Sequence, residues 1–307
     1  MSDISNNIAI LSYLKDKVHK WKNISILLIV ILFLLIVRIL FGDPIDNIDS
    51  GKYIAEIEIK GEIYEDDHRS KILKKLQDDD SAKAVIIKIN SPGGSIVGSE
   101  ILYNELKEIA KKRPIVVLMN SVAASGGYMA SMASDHIIAH NGTLTGSIGV
   151  LMQSAEMVDL AKKIGVNFKT YKSAPLKASP SPFEKTNGIV NAVVQSSIKD
   201  SADFFYELVK ESRGSKLKKS DYKEAFDGRV FTGRQALAIG LIDEVGDRNS
   251  AIEYLKVKHK IDTDNIEIRK VQLAKPRDVL FDKLSGAVSF MGFKSDSSNK
   301  IMAILPF

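Results

Sequence analysis

Two glycine-containing turns in this chain carry the residue types that acyl chemistry needs. Asn90-Ser91-Pro92-Gly93-Gly94 follows the apolar run AVIIKI and leads into a helical pattern. Its paired glycines let the backbone approach a ligand closely and aim an N–H at it, which suits an anion or an oxyanion. Taken alone, the pentapeptide reads more readily as a plain tight turn. Ala123-Ala124-Ser125-Gly126-Gly127 sits in the same way between an apolar run and a helical stretch. Small neighbours let Ser125 stand at a sharp turn with its hydroxyl exposed and a helix N-terminus behind it. The G-x-S-x-G form of the hydrolase elbow is absent here, and a serine capping the following helix is the reading this turn favours by itself.

A serine nucleophile needs a base, and the usual one is histidine. Of the five histidines, His19 precedes a long apolar segment, His68 and His259 lie in charged surroundings, and His136 and His140 alternate along one apolar run. His140 could face Ser125, although a strand histidine more often satisfies a structural hydrogen bond. A lysine is the alternative. It serves as a base only as the free amine, which a dry, apolar setting favours.

The elements that must position these groups alternate between strand-like and helix-like patterns, the mark of an α/β domain built on βαβ units. Strands are expected at Tyr53–Tyr64, Ala84–Asn90, Ile115–Met119, His136–His140 and Phe168–Lys172. Helices are expected at His68–Gln77, Ile96–Lys112, Ser125–Ser134, Met157–Ile164, Ile189–Ser212, Val230–Gly246 and Ser250–Val257. Residues 174–187 contain Pro175, Pro180 and Pro182 and read as loop, and residues 285–307 as a peripheral tail.

With 45% hydrophobic and 26% charged residues, the 307-residue chain has the balance of a folded protein, which excludes a disordered or fibrous one. The absence of cysteine excludes a disulfide scaffold, a thiolate metal site and a cysteine nucleophile. A net charge of +5 arises from 43 basic against 38 acidic residues, with no basic stripe interleaved with aromatics, so nucleic acid is not an expected partner.

From Ile24 to Phe41 only Ser25 and Arg38 are polar. At ~1.5 Å per residue this stretch covers about 27 Å, close to the ~30 Å hydrocarbon core of a bilayer. It exceeds a signal-peptide core in length and is followed by Gly42-Asp43-Pro44 rather than an Ala-x-Ala-like site, so a retained single-pass anchor is expected. Lys15, Lys17, Lys20 and Lys22 precede the span, and Asp43, Asp46 and Asp49 follow it. The positive-inside rule then places the N-terminus in the cytoplasm and the bulk of the chain outside.

The runs IKINSPGGSIVGSEILYNEL, SVAASGGYMASMASDHIIAHNGTLTGSIGV, YKSAPLKASPSPF and DGRVFTGRQALAIGLIDEVG, in this order, resemble the short form of the signal peptide peptidase A family, bacterial membrane-anchored Ser-Lys serine peptidases. The resemblance spans roughly residues 53–260 and implies a Clp/crotonase-like βαβ superhelix domain behind one N-terminal transmembrane helix. The expected organisation is a cytoplasmic segment 1–23, an anchor 24–41, a linker 42–52, a catalytic domain 53–260 and a C-terminal extension 261–307. The resemblance further implies Ser125 as nucleophile, Lys177 as general base, Ser147 as the hydroxyl orienting the lysine amine, and the N–H groups of Gly94 and Gly126 as oxyanion hole. It implies no metal and no other cofactor. Its substrates would be signal peptides and other short hydrophobic peptides, and its active form a homo-oligomeric ring in which serine and lysine come from neighbouring copies.

The lysine loop departs from the family's usual K-S-G-x-x-K-D, since Ala174, Pro175 and Ala178 stand in Lys172-Ser173-Ala174-Pro175-Leu176-Lys177-Ala178. This leaves Lys172 as a rival base. Val150 stands where a Clp-type histidine would fall, which leaves a Ser-His-Asp mechanism unsupported. A crotonase-like acyl-CoA enzyme, which needs a carboxylate base, and a catalytically idle membrane scaffold are the other readings. The expected orientation has a direct check: protease added to intact spheroplasts should digest the chain beyond residue 50, and protection of that region until lysis would overturn it.

Overall fold

The computed structural model describes residues 2–41 and 51–273, which fall into two units. The first contains helix α1 (Ser2–Phe41). Within it, Lys17–Leu35 is long and apolar enough to cross a membrane, with a mean hydropathy of 1.8 and none of it buried. The helix thus begins well before Ile24. The negatively charged residues expected to flank it, Asp43, Asp46 and Asp49, lie outside the described residues.

The second unit, Ser50–Leu273, is an α/β domain. Its elements are β1 (Tyr53–Lys60), α2 (Asp67–Asp78), β2 (Ala82–Ser91), α3 (Ile96–Ala110), β3 (Ile115–Ala124), α4 (Gly126–Ser131), β4 (His136–Ala139), β5 (Leu144–Gly146), α5 (Val158–Lys163), α6 (Gly188–Arg213), α7 (Tyr222–Ala225), β6 (Val230–Thr232), α8 (Gly233–Ile239), β7 (Glu244–Val245), α9 (Arg248–His259) and β8 (Glu267–Val271). The sheet order is β6-β5-β3-β2-β1-β8, with β4 paired to both β3 and β7. Every pairing is parallel except β5 with β6.

The central strands read as continuous apolar runs because both of their faces are covered. Ala84, Val85, Ile86 and Ile87 of β2 and Ile115, Val116 and Val117 of β3 are wholly buried. On one face Ile54, Ile86, Val116 and Ile138 pack with Ala251 and Leu255 of α9. Each such side chain contributes roughly 1.5–3 kcal/mol through burial. Helices α2 and α3 pack on one another and bury Ile72, Leu76, Leu102 and Leu106.

Several expectations need correction. Phe168–Lys172 alternates like a strand but forms none: no strand of the described chain lies beside it to complete a ladder, and Phe168 instead packs on Phe183 with ring centroids 4.2 Å apart. The expected helix Val230–Gly246 is two short strands around α8, whose Thr232–Gln235 capping box starts it and whose left-handed Gly240 ends it. Separately from these, β8 joins the sheet in parallel beside β1, and the compact unit extends to Leu273. The expected tail 285–307 lies outside the described residues.

The C-terminal end of α6 is fastened to the sheet by a buried charge pair. Arg213 donates to Asp243 at 2.8 Å and to the Gly240 carbonyl, while Asp243 also accepts from Lys216 and from the Ile137 N–H at 2.9 Å. Burial pushes the Asp243 carboxyl up, but the bonds from Arg213, Lys216 and Ile137 outweigh it and hold it below the ordinary range. A depressed carboxyl stabilises the fold above its unfolded pKa of about 3.9, and the contribution is lost as pH falls through the folded value. Asp243→Ala should therefore cost on the order of 3 kcal/mol at neutral pH by chemical denaturation. The penalty should fade as the pH is lowered through the carboxylate range.

Candidate active site

Strand β3 is paired along Val116–Met119 by β4 and along Val122–Ala124 by β5. The chain then turns sharply at Ser125, which has φ 51° and ψ −118°. A non-glycine residue in such a region costs of order 1–3 kcal/mol and persists when its surroundings hold it there. What holds it is backbone: the Ser125 N–H donates to the Gly146 carbonyl at 2.9 Å, and the Ser125 carbonyl accepts from Met129 N–H at 2.9 Å. The Ser125 side chain makes no capping bond to α4, so the cap that the turn by itself suggested is not formed. The residue is half-buried, and its hydroxyl has no hydrogen-bond partner among the described residues.

The first glycine turn lies against this one. Ile63 N–H donates to the Gly93 carbonyl at 2.8 Å and Ser95 N–H donates to the Ile63 carbonyl at 2.9 Å, a parallel bridge between Ile63 and Gly94. Gly126 comes close to this bridge, since a Cβ added to it would lie 3.3 Å from Gly94 N. Gly93, at φ 112°, is closer still: its Cβ would meet Gly126 N and Ser125 Cβ, both at 2.9 Å. The approach of the two turns requires glycine at these positions. The backbones of Gly93, Gly94 and Gly126 thus lie close against one another at the Ser125 turn.

Ser147 joins them through the backbone. It follows Gly146, whose carbonyl holds Ser125, has φ 50°, and donates its N–H to the Arg229 carbonyl at 2.8 Å. Arg229 is itself tied to Asp227 at 2.7 Å and to Glu224 at 3.1 Å. The residues that brace the site but carried no signal in the sequence are Ile63, Ser99 and Arg229. The first and last act through backbone groups, and Ser99 through its closeness to Gly126.

Residues 107–262 of the chain match peptidase family S49, and residues 52–144 match the Clp protease family. The chain is 35% identical over 248 residues to a protein of Synechocystis sp. described as a protease, covering 80% of this chain and 87% of the relative. The same identity relates it to a protein of Enterococcus faecium described as signal peptide peptidase SppA, over 76% of this chain and 67% of the relative. A protease of Methanocaldococcus jannaschii is 33% identical over 73% of this chain and 76% of its own length. The chain belongs to peptidase family S49. It is a serine peptidase on a Clp-like α/β fold.

Within one chain of this S49 peptidase, no bond joins Lys177 to Ser125 among the described residues. Lys177 is exposed, in a loop where its own N–H donates to the Ala174 carbonyl at 3.1 Å, and its amine meets no partner among the described residues. Lys172, the rival base, is engaged with Glu184 and Ser179. His140 is exposed just past β4, the strand that pairs with the first half of β3 rather than with the half that ends at Ser125. His136 is paired with Glu244 at 3.1 Å and stacked on Tyr254. No group of three histidine, aspartate or glutamate side chains placed to hold a metal occurs among the described residues.

The fit of the two turns can be tested with a single methyl. Gly93→Ala should lower kcat/KM by roughly a hundredfold, the size expected when one oxyanion donor is displaced. The control is Gly142→Ala, where a Cβ meets nothing within 4 Å and activity should be unchanged.

Proposed function

We propose that this S49 peptidase is a single-pass membrane-anchored endopeptidase with a Ser-Lys dyad that degrades cleaved signal peptides and other short hydrophobic peptides. The observation that supports the reading is the strained, uncapped Ser125 turn, with the backbones of Gly94 and Gly126 close against it. Ser125 Oγ attacks the scissile carbonyl carbon as its proton passes to the Lys177 amine. The carbonyl oxygen, now an oxyanion, accepts from Gly94 and Gly126. Collapse of the intermediate expels the leaving amine, which takes the proton from the Lys177 ammonium. Water then hydrolyses the acyl-serine, with Lys177 again relaying the proton, and Ser147 orients the amine throughout.

Lys177 would come from a neighbouring copy in a ring. The chain on either side of it leaves Leu151, Leu160, Ile164, Phe168, Tyr171 and Ile189 exposed, Tyr171 by 90%, and exposed apolar side chains gathered in one stretch suit contact with another protein. A second copy laid over that face would also dry the lysine. Helix α1 would supply the anchor, and the lysines ahead of its apolar part support a catalytic domain outside the cytoplasm. The relative described as a signal peptide peptidase supports the substrate class.

The test is full-length protein in detergent incubated with a panel of synthetic signal peptides, with mass spectrometry of the products and a covalent serine-directed probe alongside. Cleavage and labelling should both vanish in Ser125→Ala. Lys177→Ala and Lys177→Arg should abolish cleavage while the sedimentation profile stays that of wild type, since arginine remains charged at any usable pH. Intact peptides and an unlabelled serine in the wild type would favour the idle scaffold. A fully active monomer would overturn the shared site.

A further inference from the structure

Lys172 is the hub of the loop that presents Lys177. Its amine donates to the Glu184 carboxylate, forming an ion pair, and to Ser179 Oγ at 3.1 Å. Though this stretch of chain is largely exposed, the Lys172 side chain is only 14% exposed and that of Glu184 33%. The hydrogen bond from Lys172 holds the Glu184 carboxyl below its ordinary range; slight burial works against it, while the Lys172 charge and a bond from Thr170 add to it. One lysine therefore ties together the entry of the loop, its exit, and Ser179, which stands just beyond Ala178 from Lys177.

Between these ties the loop has little of its own to define it. Around Lys177 its bonds are Lys177 N–H to the Ala174 carbonyl at 3.1 Å and Ser179 N–H to the Leu176 carbonyl at 3.2 Å, with Ala178 at φ 56°. The exit side is held further by Phe183 N–H to Ser181 Oγ at 3.2 Å, Glu184 N–H to the Ser181 carbonyl at 3.4 Å and Met157 N–H to the Pro182 carbonyl at 2.7 Å, so the Lys172 ties are what fix the Lys177 part of the loop to that anchored exit. No strand pairs with it, and the Phe168–Phe183 contact lies outside the tied stretch on one side only. If the ties are cut, the loop samples many conformations, and the fraction that carries Lys177 in the competent one falls.

We propose that the Lys172–Glu184 pair, with Ser179, is a positioning device that sets where Lys177 is presented, and that Lys172 is a positioning residue rather than a base. This rests on the reading of Lys177 as general base. The pair is partly exposed, so it adds little to global stability. Its loss should appear in turnover and not in thermal stability. The pair acts through the placement of the Lys177 amine, which serves proton transfer, so KM should hold.

The test uses the full-length protein with one cleavable peptide and four variants: Lys172→Glu, Glu184→Lys, the double reversal, and Lys177→Ala. Each single reversal should lower kcat by about tenfold or more with KM within about twofold, the scale expected for a misplaced catalytic group. The double reversal should recover most of the loss, because the pair re-forms with its charges exchanged. Thermal midpoint and sedimentation should match wild type throughout; should a reversal fail to fold, Glu184→Gln and Lys172→Met are read by the same criterion. Single variants with wild-type kcat, or a folded double variant without recovery, overturn the positioning role while an inactive Lys177→Ala leaves the base assignment standing. An active Lys177→Ala overturns the base assignment, and the pair's role with it.

Discussion

The division of β3 between two partner strands fixes where the chain must turn and what meets it there. Up to Met119 the strand lies beside β4, and from Val122 onward beside β5. Asn90 Oδ1 accepts from Val122 N–H at 3.2 Å where the partner changes, so the start of the first glycine turn is bound to the strand that leads to the second. Thr145 Oγ1 donates to the Ala123 carbonyl at 2.7 Å on the other side. Ser125 is thus delivered between the β2 turn and the β5 turn by ladder geometry, and its unusual dihedrals follow from that delivery.

The same constraint explains why glycine recurs at the seam. Backbones that carry N–H groups to one point must approach more closely than a Cβ permits, and the clashes at Gly93, Gly94 and Gly126 are with backbone or with short side chains that have nowhere to move. Gly94 would place a methyl 1.9 Å from the Ile63 carbonyl oxygen. That contact belongs to the bridge with Ile63, so this pairing and the lack of a side chain at Gly94 have one cause.

Legibility in the sequence followed the kind of signal each element leaves. The runs AVIIKI and IVVLM are apolar throughout, and the chain buries them as the central parallel strands. Both glycine turns were visible because glycine pairs after buried strands are distinctive. The three-residue strands β5 and β6 are too short for periodicity to register, and β8 mixes charged with apolar residues like an exposed segment. Phe168–Lys172 shows the opposite failure: alternation reports a surface with two unlike faces, and a partner strand has to come from somewhere else in the fold. The ties of Lys172 were hidden for another reason, since Glu184 lies across a loop whose closure no local pattern encodes.

Strand β8 has a consequence for how copies of this domain can meet. It is the outermost strand of the described sheet beyond β1, and an outer strand is an open template for pairing with another chain. Here it is five residues long, with Glu267 and Arg269 bonded to each other at 2.7 Å on one side and Lys270 on the other. Arg269 also lies over the Tyr53 ring at 4.7 Å. An incoming strand would have to bring its side chains alongside charges that are already matched. The sheet is thereby discouraged from lengthening across molecules, which leaves association to surfaces where shape and apolar area select the partner.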